Sequence, residues 1–63
     1  MKYKIIHYAY KNKIDLDFLR EKVGMGTTRF QLFIAGQIIP TTKEITITCL
    51  TLGEGRSKIF GKV

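Results

Sequence analysis

Three segments of this chain place apolar residues at alternate positions. Residues 2–10, KYKIIHYAY, are rich in β-branched and aromatic side chains, which suit a pleated, half-buried surface, and they predict a strand. On that strand Tyr3, Ile5, His7 and Ala9 share one face, and Lys2, Lys4, Ile6, Tyr8 and Tyr10 share the other. Residues 29–35, RFQLFIA, set Phe30, Leu32 and Ile34 against Arg29, Gln31 and Phe33. Residues 43–52, KEITITCLTL, set Ile45, Ile47 and Cys49 against Glu44, Thr46 and Thr48, with Leu50 and Leu52 breaking the polar face.

One segment has a helical pattern. In NKIDLDFLREKVG, Leu16, Leu19 and Val23 form an inward stripe with Phe18 at its edge. Asp15 is placed to cap the first turn, and Ile14 and Leu19 have the spacing of a hydrophobic staple. Asp17 and Lys22 complement the helix dipole, and Gly24 is a natural C-cap. So short a helix needs another element to lie on.

Punctuation completes the reading. Ala35-Gly36 predicts a tight turn into residues 37–39, and Pro40 ends that run because it lacks an N–H for a central ladder. GEGR predicts another turn before a last strand in SKIFGKV. The expected fold is α+β, in the order β-α-β-β-β-β: a small antiparallel-rich sheet, or a partly open barrel, with one short helix on it. Its expected core holds Ile5, Phe30, Leu32, Ile34, Ile45, Ile47 and Cys49.

Length and composition narrow the function. Sixty-three residues, 44% of them hydrophobic, predict one small globular domain over 1–63 with a marginal core. The lone Cys49 excludes an internal disulfide, and the single histidine leaves no cluster of metal ligands, so no metal or cofactor is expected. No apolar run approaches the roughly 20 residues of a membrane span, and the N-terminal segment is a poor signal peptide. A cytoplasmic protein is expected, in the host cytoplasm if the chain is virus-encoded.

The charge is +6, and it is uneven. Lys2, Lys4, Lys11 and Lys13 crowd the first thirteen residues without an acid, and Arg56, Lys58 and Lys62 crowd the last ten against Glu54 alone. Such an excess favours nucleic acid, an anionic membrane or an acidic protein as partner; of these nucleic acid or an acidic protein is expected, with no membrane and no small-molecule substrate.

Neither glycine-rich stretch predicts a phosphate loop. GEGRSK lacks the spacing of a nucleotide-binding loop and carries Glu54, so it reads as a turn, and GMGTTR follows the negative end of a helix. Cys49 with His7 is the only pair suggesting nucleophilic catalysis, but cysteine is usually buried and inert, so no enzyme is expected. The stronger signal is basic residues interleaved with aromatics. Lys2, Lys4, Arg29, Arg56, Lys58 and Lys62 offer charge for phosphates, and Tyr8 and Tyr10 offer rings for bases.

The expected function is a non-enzymatic module that binds nucleic acid mainly through the phosphate backbone. The alternative is a small regulator or inhibitor, virus-encoded or not, that docks a basic and aromatic surface on an acidic protein. Phe33, Leu50 and Leu52, on otherwise polar faces, are the expected apolar interface with such a partner or with a second copy in a homodimer.

Overall fold

In the computed structural model, residues 3–61 are described, and every regular element among them is a helix. The elements are α1 (Ile5–Lys11), α2 (Leu16–Val23), α3 (Thr27–Ile34), α4 (Thr42–Leu52) and α5 (Arg56–Phe60). This overturns the expected α+β sheet or barrel: the described residues form a small all-α fold.

The helix read from the sequence is present. Asp15 caps α2, its carboxylate accepting from the Phe18 N–H at 3.1 Å, and Gly24 closes it in the left-handed region at φ 84°. The segments read as strands are helical for a physical reason. In α4 the residues that reach the core are Ile45, Thr48 and Leu52, spaced three and four apart as one helical stripe. Leu52, out of place on a strand, belongs to that stripe. Thr41 and Glu44 form a capping box, each side chain bonding the other's backbone N–H, at 3.1 and 2.8 Å.

Six of the eleven residues of α4 are β-branched. Each costs a helix at most about 0.7 kcal/mol against alanine. Burying Ile45 or Leu52 contributes about 1.5–3 kcal/mol apiece, and the cap about 1 kcal/mol more. Burial and capping therefore outweigh propensity.

The same logic applies at both ends. α1 turns Ile5 and Ala9, four apart, into the core, and α3 turns in Phe30 and Phe33, three apart. The GEGR stretch is a helix-to-helix corner: Gly53 ends α4 at φ 73° and Gly55 caps α5. The expected last strand is α5 over residues 56–60, which buries Ile59 and Phe60.

The core gathers Ile5, Ala9, Leu19, Val23, Met25, Phe30, Phe33, Ile45, Leu52, Ile59 and Phe60. Ile5, Phe30 and Ile45 were expected there. Ile34, Ile47 and Cys49 pack on it only partly buried, and Leu32 lies exposed, because a helix does not share the two-residue period that assigned them inward. Phe33 is wholly buried, within an aromatic group that includes Tyr3, Phe30 and Phe60.

Polar ties join α1 and its flanks to later parts of the fold. The Lys4 N–H donates to the Ile59 carbonyl at 2.9 Å, joining α1 to α5. The Tyr3 hydroxyl donates to the Ile38 carbonyl at 2.9 Å, and Asn12 Nδ2 donates to the Leu52 carbonyl at 2.7 Å and to Glu54 at 3.2 Å. Among the described residues, no helix is long and apolar enough to cross a membrane.

Candidate nucleic-acid interface

α2 and α3 are joined by only Gly24, Met25 and Gly26. The joint is fixed from three sides. The Gly24 and Met25 N–H groups both donate to the Arg20 carbonyl, at 2.9 and 3.2 Å. The Arg20 guanidinium donates back to the Met25 carbonyl at 3.0 Å. The Met25 side chain is buried in the core. α2 itself packs mainly on α4, and α3 is held to the core through Phe30 and Phe33.

α3 leaves the turn with an asymmetric surface. Phe30 and Phe33 hold it down, while Thr27, Thr28, Gln31 and Leu32 face outward. Arg29 lies on its flank. The Arg29 fork engages both oxygens of Glu44, Nε to Oε2 at 3.1 Å and Nη2 to Oε1 at 2.9 Å. That contact sets the first turn of α4 beside the first turn of α3. Thr41, Thr42 and Lys43 are exposed there, and the box bonds the Thr41 and Glu44 N–H groups, leaving those of Thr42 and Lys43 at the helix end. The hydrogen bond from Arg29, with those from Thr41, holds the Glu44 carboxyl below the usual range, and the same pair raises Arg29.

The sequence-derived residues do not form a single face. Lys4 precedes α1, and Arg56 and Lys58 lie on α5, so these three share the α1–α5 layer and are exposed. Lys58 is 3.7 Å from Glu54, whose carboxyl is held low by the Asn12 hydrogen bond and the nearby lysines. Tyr10 stands 87% exposed on α1, whereas Tyr8 is half-buried with the Lys11 ammonium 5.7 Å from its ring. Arg29 belongs to the α3–α4 neighbourhood instead. Lys2 and Lys62 lie outside the described residues.

The expected apolar interface divides. Leu50 is exposed, but Phe33 and Leu52 are core residues and present no surface, because helical periodicity turns them inward. The face that the alternation pattern assigned to Lys4, Tyr8 and Tyr10 is likewise replaced by a helical surface. On it Ile6, His7, Tyr10 and Lys11 are exposed, and Ile6 and Tyr10 line a groove with Ala9, Ile14, Asp15 and Leu16.

Cys49 is part-buried on α4, and burial pushes its thiol up, while His7 lies exposed on α1 with its ring edge against Tyr8. No hydrogen bond links the two among the described residues. Among those residues, no three His, Cys, Asp or Glu side chains gather where they could hold a metal ion.

Sequence reasoning passed over the α2–α3 unit because RFQLFIA alternates well enough to read as a strand. The signal that marks it is Gly24 and Gly26 around an apolar residue, followed by a phenylalanine pair three apart. Comparison with protein families, with curated protein sequences and with solved structures finds no match to this chain.

Proposed function

We propose that this chain binds duplex DNA through α2, the Gly24–Gly26 turn and α3, used as a helix-turn-helix with α3 in the major groove. The observation that carries this reading is the short fixed turn. It presents a helix whose core face is anchored by Phe30 and Phe33 and whose outward face is short and mostly polar, with Thr27, Thr28 and Gln31 exposed. Two helices joined by a glycine-bearing turn of three or four residues are the usual form of this motif, in which the N-terminal residues of the second helix meet base edges.

Charge supports the same partner. Residues 14–53 carry four basic and four acidic side chains, so the net +6 comes entirely from the two chain ends. The field of α1 and α5 draws a polyanion toward the molecule, while Lys43 and the start of α4 lie beside α3, where phosphates flanking the groove would sit.

The test is titration against labelled duplex DNA, single-stranded DNA and RNA, at low and at physiological salt, with two variants of equal charge change. Thr28→Glu places a carboxylate on the outward face of α3, and Leu50→Glu places one at the far end of α4. Thr28→Glu is expected to weaken duplex binding about tenfold or more and Leu50→Glu far less. Equal losses, or tighter binding to single strands, would overturn α3 as the reading element.

A second reading is favoured by the groove at α1. Tyr10 and Ile6 stand open beside Lys11 and Lys13, a surface suited to an acidic protein segment with an apolar anchor. It predicts no nucleic-acid binding even at low salt and a partner lost on Tyr10→Ala.

A further inference from the structure

The outward face of α3 also limits which bases it reads, an inference that rests on the duplex-binding reading above. We infer that α3 selects A·T-rich major-groove steps, with Gln31 on adenine and Leu32 and the threonine methyls against thymine methyls. Each base pair shows the major groove its own pattern. Guanine is read most often by the paired donors of arginine or by lysine, adenine by the paired donor and acceptor of an amide, and the thymine methyl by apolar contact.

α3 carries one cation, Arg29, and its Nε and Nη2 are bonded to the two carboxylate oxygens of Glu44, which draws that edge of the guanidinium toward α4. Glu44 is in turn held by its bond to the Thr41 N–H, so the acceptor is fixed to the start of α4. The one guanine-reading group on this helix is thus held toward α4, on the flank of α3 and to the side of its outward stripe. What remains outward is Thr27, Thr28, Gln31 and Leu32. Thr28, Gln31 and Leu32 follow at three- and four-residue spacing and so form one stripe. The stripe offers one amide with both a donor and an acceptor, together with methyl groups. Leu32, 39% exposed, brings its methyl groups to the same stripe as Thr28 and Gln31.

The experiment is selection of sites by the whole chain from random-sequence duplex DNA, followed by titration of the selected duplex. Enrichment of an A·T-rich core is expected. Replacing its thymines by uracil removes only the methyl groups and is expected to weaken binding several-fold. Gln31→Ala, an exposed change whose fold is checked by circular dichroism, is expected to lose about tenfold or more discrimination at a single adenine position and leave its neighbours unchanged. A selected core anchored on guanine and lost with Arg29→Ala would show that Arg29 leaves Glu44 to read DNA, and would overturn the inference while keeping α3 in the groove. Full affinity for the uracil duplex would overturn the methyl contacts. Absence of any duplex binding, or binding that α3 variants do not alter, would defeat the helix-turn-helix reading itself.

Discussion

Arg29 and Glu44 are joined by two hydrogen bonds, at 2.9 and 3.1 Å, across fifteen residues of sequence, and Glu44 at the same time accepts from the Thr41 N–H that begins α4. One carboxylate thus caps one helix and fixes the flank of another. Glu44→Gln keeps a poorer cap and loses the ion pair, and it is expected to destabilise the fold by about 1 kcal/mol, read from chemical denaturation.

The same carboxylate sets an acid dependence. Its pKa is lowered in the folded chain, first by the hydrogen bond from Arg29 and then by those from Thr41. A lowered pKa stabilises the fold while the group is ionised, above its unfolded pKa, and this stabilisation is lost as pH falls through the folded pKa. Melting temperature is therefore expected to fall on acidification below the ordinary carboxylate range, and Glu44→Gln is expected to flatten that slope. An unchanged slope in the variant would place the acid sensitivity elsewhere.

Thr48 is fully buried on α4, and its hydroxyl has no hydrogen-bond partner. Valine has nearly the same shape without the polar group. Thr48→Val is expected to raise stability by about 1 kcal/mol, seen as a higher melting temperature.

The turn between α2 and α3 contains its own control. Gly24 has φ 84°, whereas Gly26 lies in the extended region at φ −73°, and a Cβ at either meets nothing within 4 Å. Gly24→Ala is expected to cost about 1–2 kcal/mol from backbone strain alone, and Gly26→Ala much less. Similar losses at both would mean the turn is not held as described.

Phe33 and Leu50 were expected to share one exposed partner surface. Phe33 is wholly buried and Leu50 is 76% exposed. Phe33→Ala is expected to cost about 3–5 kcal/mol, enough to unfold a chain of this size, and Leu50→Ala to change stability by less than about 0.5 kcal/mol. Circular dichroism of the two variants distinguishes them directly.

The sequence by itself determined the elements whose signals are local. Asp15 before a stripe of Leu19 and Val23, with Gly24 after it, marks both ends of α2 locally, because the cap and the left-handed glycine act within a turn, although the helix still needs α4 to lie on. Thr41-x-x-Glu44 before an apolar run, and Gly53 after it, mark both ends of α4 in the same local way, although the β-branched run between them reads as a strand. The sequence also determined the charge of +6 and its concentration at the two ends.

The tertiary structure alone decided the period. Ile, Thr, Tyr and Phe serve on a pleated face or a helical stripe, and propensity differences of at most about 0.7 kcal/mol per residue are smaller than the burial of one large side chain. Ile5 with Ala9, Phe30 with Phe33, and Ile45 with Thr48 and Leu52 become stripes only because the short helices of the described residues cover one another's apolar sides. That choice sent Phe33 and Leu52 inward, set Lys4, Arg56 and Lys58 apart from Arg29, and left Thr28, Gln31 and Leu32 facing out beside an arginine bonded to Glu44.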